Sequence, residues 1–63
     1  MSGDRTGRIV HIDRADCIVT IETEDGVTHR AALSQRDFDR AVASIGSGPI
    51  TLEYDWPARA TLL

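Results

Sequence analysis

Two runs that suit β-strands, residues 17–23 and 27–33, stand on either side of Glu24-Asp25-Gly26. Such a pattern is a β-hairpin, and its loop decides which side chains meet. A two-residue Asp-Gly turn would set Glu24 against Val27 and Ile21 against Arg30, mixing charge and hydrophobe on both faces. A three-residue loop with Gly26 in the left-handed position pairs Thr23 with Val27 instead. Then Ile21 faces His29, Val19 faces Ala31 and Cys17 faces Leu33. The other face carries Glu22 with Thr28, Thr20 with Arg30 and Ile18 with Ala32. A slip of one residue would expose the whole apolar set, so the second register is the expected one.

The rest of the chain must cover that apolar face. Residues 8–13 are rich in β-branched side chains and read as a strand before the hairpin. Ser34 is placed to cap a helix, with Asp37 three positions on. Phe38, Ala41, Val42 and Ile45 fall on one helical stripe, which Gly46 and Pro49 bring to an end. Residues 50–56 alternate strictly, with Ile50, Leu52, Tyr54 and Trp56 on one side, until Pro57. Residues 58–63 read as a last strand with Ala58, Ala60 and Leu62 on one side.

Five strands and one helix cannot bury both the stripe and the strand faces as a flat sheet. The expected fold is mainly β: a small five-stranded antiparallel barrel, OB- or SH3-like, with one α-helix between strands 3 and 4. Residues 1–6, polar and containing Gly, read as a flexible tail, and residues 7–63 as a single barrel domain. The expected inward set is Cys17, Val19, Ile21, Val27, Ala31 and Leu33, closed by the stripe from Phe38 to Ile45.

The chain has 63 residues, and one this short buries only about 60% of its unfolded surface. Such a core leaves little room for a large substrate cavity, and a binding surface suits the size better. Seven Arg, no Lys and ten acidic residues give a formal charge of −3, which opposes indiscriminate attraction to nucleic-acid phosphates. A single cysteine, Cys17, fits a reducing, cytoplasmic setting. Neither a secretory leader nor an apolar run near the roughly 18 residues of a membrane span is visible.

Local pieces of the chain resemble the OB-fold, in particular the small OB domains of ribosomal and translation-initiation proteins. They are Gly7-Arg8-Ile9-Val10, Ile18-Val19-Thr20-Ile21-Glu22 leading to Asp25-Gly26, Ala31-Ala32-Leu33-Ser34, and Gly48-Pro49-Ile50-Thr51-Leu52-Glu53. The resemblance implies a barrel whose helix lies between strands three and four, and a surface for single-stranded nucleic acid. Such domains read bases with aromatic platforms on strands two and three. Those strands here hold no Phe, Tyr or Trp, which places the fold and the nucleic-acid function on separate footings.

No catalytic set is expected. Cys17 and His29 both point inward in the expected register, but His29 lies four residues along from Leu33, the partner of Cys17. At about 3.3 Å per residue the two are roughly 13 Å apart, beyond hydrogen-bond reach. His11, Asp13, Asp16 and Cys17 cluster in sequence without the paired spacing of zinc ligands, so neither metal nor cofactor is expected. Gly46-Ser47-Gly48 follows a helix instead of opening one, and so lacks the donors that hold a phosphate.

The expectation is therefore a non-enzymatic module that acts by protein–protein interaction, as an adaptor or inhibitor. A bacterial or phage protein, encoded by a phage or mobile element and inhibiting a nucleic-acid-handling complex, is one concrete form. Its candidate contacts are Trp56 and Tyr54, with Trp56 at the strand end leaning towards the surface and Tyr54 towards the core, and the acidic residues Glu22, Glu24, Asp25, Glu53 and Asp55. The alternative is a single-stranded RNA- or DNA-binding domain in which Arg8, Arg14, Arg30 and Arg59 line one groove. A homodimer through the apolar last strand is a further alternative.

Overall fold

The computed structural model describes residues 2–55 and 59–63, and their side chains other than those of Ser2, Tyr54, Asp55 and Arg59. The elements are β1 (Ser2–Asp13), β2 (Ile18–Glu22), β3 (Thr28–Ala32), α1 (Gln35–Ala43), β4 (Ile50–Asp55) and β5 (Arg59–Leu62). The strands close into a barrel in the order β1-β2-β3-β5-β4, with the helix between β3 and β4. Neighbouring strands run antiparallel except at the closing seam, where Ala32 of β3 pairs with Arg59 of β5 in parallel.

The hairpin takes the register that the loop chemistry predicts. Ile21 pairs with His29, Val19 with Ala31 and Ile18 with Ala32. Thr23 N–H donates to Val27 O at 3.0 Å, Gly26 N–H donates back to Thr23 O at 2.9 Å, and Gly26 has φ 83°. A residue with a Cβ meets a steric penalty at that angle, so glycine sets the loop length and the loop length sets the faces.

β1 departs from expectation. The flexible tail expected over residues 1–6 is strand from Ser2 onward. Asp4 pairs with Glu53, Arg5 with Leu52 and Thr6 with Thr51, whose hydroxyls lie 2.8 Å apart. The physical reason is β4: its backbone edge needs a partner, and this polar segment supplies one. A single strand thus serves two neighbours, β4 through residues 2–7 and β2 through residues 8–13. Gly7 sits at the change-over, buried, where an added Cβ would lie 2.5 Å from the backbone oxygen of Glu22.

The second half of β1 holds a bulge. Ile9 pairs with Ile21, but the next pair is His11 with Thr20, leaving Val10 as an extra residue. Ile9 and Ile12 are three apart and would face opposite ways in a regular strand. The bulge turns both against the core and leaves Val10 53% exposed.

The core consists of Val19, Ile21, Ala31, Leu33, Phe38, Ala41, Ile50, Leu52 and Ala60. Four of the six residues expected to face inward are among them, and Cys17 is half-buried. Val27 is exposed, because it ends the hairpin loop beyond the covered part of the wall. Ile45 also stays outside. Ser44 Oγ donates to Ala41 O at 2.8 Å and the helix ends at Ala43, before it can carry Ile45 onto the stripe. At the other end Ser34 Oγ accepts from Asp37 N–H at 3.2 Å, as the capping pattern predicts.

Candidate binding surface

The β2–β3 loop and the first half of β1 face one another across a hollow of about 620 Å³. Asp4, Glu24 and Asp25 line it, together with Arg5, Thr6, Thr23 and His29. A neighbouring hollow of about 370 Å³ lies between Glu22 and Glu24 on one side and Thr6, Gly7 and Arg8 on the other. Asp4 is also the cross-strand partner of Glu53, which is exposed. Asp4, Glu24 and Asp25 thus share one hollow, Glu22 and Glu24 the next, and Glu53 adjoins the rim through Asp4, with Arg5 and Arg8 set among these five carboxylates. Four of the five were expected contacts. Asp4 was not, because its segment read as a tail, and it is the residue that links the loop carboxylates to Glu53.

The rim is not arranged for stability. Asp4 and Glu53 stand directly opposite on paired strands, where like charges repel. Asp25 is held in place locally. Its carboxylate accepts from the Thr23 hydroxyl and from Val27 N–H at 3.4 Å. The Thr23 hydrogen bond is the main cause that holds the Asp25 carboxyl below its ordinary pKa, with the Val27 N–H next and the His29 charge a minor contribution.

A second surface carries the arginines. On the outer face of β1, β2 and β3, Arg8, Glu22 and Thr28 form one row and His11, Thr20 and Arg30 the next. Arg8 and Arg30 thus share a face, as the nucleic-acid alternative needs, though Glu22 shares it too. Arg14 is exposed in the following turn. Arg59 is placed only by its backbone, beside Ala32.

Other expected contacts fall elsewhere. Trp56 lies outside the described residues. Tyr54 and Asp55 are described only by backbone pairing, Tyr54 with Gly3 and Ala60, Asp55 with Ser2 and Arg59. Cys17 donates its thiol hydrogen to Gln35 Oε1 at 3.3 Å, while His29 lines the rim hollow. Asp13 Oδ1 accepts from Ala15 N–H at 3.0 Å and Asp16 N–H at 3.3 Å, which accounts for it as a turn former. Among the described residues no three His, Cys, Asp or Glu gather to hold a metal ion. Nor is any helix among them long and apolar enough to cross a membrane.

No family model, curated protein or solved structure matches the chain.

Proposed function

We propose that this protein is a non-enzymatic binding module that acts by occupying a partner protein through its acidic rim, as an adaptor or inhibitor. The observation that carries the reading is the meeting of Asp4, Glu24 and Asp25 around one hollow, with Glu22 and Glu53 adjoining. The opposed Asp4–Glu53 pair supports it, since repulsion at a surface has a use when a cationic partner relieves it. A basic protein surface, such as one that normally meets nucleic acid, is the fitting partner class. A cytoplasmic setting suits the lone, half-buried Cys17. The strand order and the helix between β3 and β4 support kinship with the OB-fold.

Capture from host lysate tests the reading, comparing the parent with a Glu24→Lys/Asp25→Lys variant. The parent retains a specific protein and the variant loses it. Equal retention by both would remove the rim from the account.

A second reading rests on Arg8 and Arg30 sharing the outer face of β1-β2-β3: a single-stranded nucleic-acid surface. Titration with a labelled oligonucleotide at low salt separates the two. Binding that falls steeply with added salt favours this reading, and no binding at low salt eliminates it.

A further inference from the structure

The bulge in β1 and the early end of α1 are separate local features. They meet in one place. Arg8, Ile9, Val10, Ile45, Gly46 and Gly48 line a cavity of about 340 Å³ between the bulged strand and the turn after the helix. Val10 and Ile45 are 53% and 50% exposed, and they are two of the four large hydrophobics most exposed among the described residues. Both are placed there by local devices: the extra residue in β1, and the end of the helix at Ala43, after which Gly46 takes φ 91°. Bulges commonly re-aim a side chain in this way beside a working surface.

The chemistry of the lining restricts the occupant. Arg8 is its only charged residue. No ion pair engages the Arg8 guanidinium among the described residues, although Glu22 is its cross-strand partner. Ile9, Val10 and Ile45 supply aliphatic wall and Ser44, Gly46 and Gly48 a hydroxyl and backbone, and the volume is at the small end of ligand sites, which enclose most of a free ligand's surface. A small, open slot with a partly aliphatic wall and one cation at its edge suits a side chain presented on a peptide better than a free small molecule.

We propose that this groove docks a protein segment in which an aliphatic side chain is followed by a carboxylate. The aliphatic group covers Val10 and Ile45, and the carboxylate meets Arg8 in a charge-assisted hydrogen bond. Arg8 also lines the neighbouring hollow with Glu22 and Glu24, so the groove adjoins the acidic rim, which calls for the opposite charge in its own partner.

The test is titration of the methyl-labelled protein with the capped peptide acetyl-Gly-Leu-Asp-Gly-amide, followed by NMR. Saturable shifts are expected at the Val10 and Ile45 methyls. Replacing the peptide's Asp by Asn, or its Leu by Ala, should weaken binding about tenfold in each case. Arg8→Gln should erase the preference for Asp over Asn while keeping that for Leu over Ala. Val10→Thr, conservative at an exposed position, should weaken all peptides while leaving the melting temperature within a few degrees of the parent. Three results would overturn the proposal: no saturable shift at these methyls, equal binding of the three peptides, or a uridine oligonucleotide that moves the same methyls at lower concentration.

Discussion

The β2–β3 hairpin and strand β1 lie side by side in the barrel, yet different physics decides their shapes. Within the hairpin everything follows from three loop residues. Gly26 takes φ 83°, the loop closes with Thr23 opposite Val27, and each later pair is determined. β1 is set by its neighbours. It changes partner at Gly7 because β4 and β2 both need an edge, and it bulges at Val10 because Ile9 and Ile12 must both reach the core. The hairpin is therefore vulnerable to changes in backbone angle, and β1 to changes in space and pairing.

Substitutions can separate the two kinds of control. The largest effect is expected at Gly7. Gly7→Ala sets a Cβ against the Glu22 carbonyl, and displacing backbone there should cost about 3 kcal/mol in a chemical-denaturation measurement. Gly26→Ala meets no atom within 4 Å, so only the left-handed angle opposes it, and about 1 kcal/mol is expected. If the two variants lost equal stability, the distinction between space and angle would fail. Glu53→Lys has the opposite sign: it replaces the repulsion with Asp4 by attraction and should stabilise the barrel by about 0.5 kcal/mol. Were residues 2–6 a loose tail, that substitution would leave stability unchanged.

The smallest effect concerns Asp25. Its carboxyl pKa lies below the ordinary value, so the folded state favours the ionised form. Its contribution to stability is present above the unfolded pKa and fades as pH falls through the lower folded value. Carbon-13 titration should place the Asp25 midpoint below that of the same residue in an unstructured peptide. Thr23→Val, which removes the main donor, should move it upward.

The same contrast explains what the amino-acid sequence discloses. The hairpin, the Ser34 cap and the strictly alternating β4 are local patterns, and each is legible from a few adjacent residues. Residues 2–6 are polar and carry no apolar alternation: residues 3–6 are all exposed, including Arg5 beside the buried Leu52. Nothing local marks them as strand, and Asp4 was lost from the rim with them. The three-residue spacing of Ile9 and Ile12 is a signal for the bulge, readable once both are required in one core. Ile45 continues the helical stripe by count, but the helix ends at Ala43 and the chain turns away at Gly46 with φ 91°, so Ile45 stays outside.

The claim on which the functional account rests is that five carboxylates from β1, β2, β4 and the hairpin loop act as one surface. Glu53 lies on β4, away from the loop residues, and tests that claim most directly. Retention by Glu53→Lys of the protein that the parent captures from host lysate is the measurement. The account predicts that this variant, more stable than the parent, loses most of the captured partner. Full retention by a stable Glu53→Lys protein would contradict it.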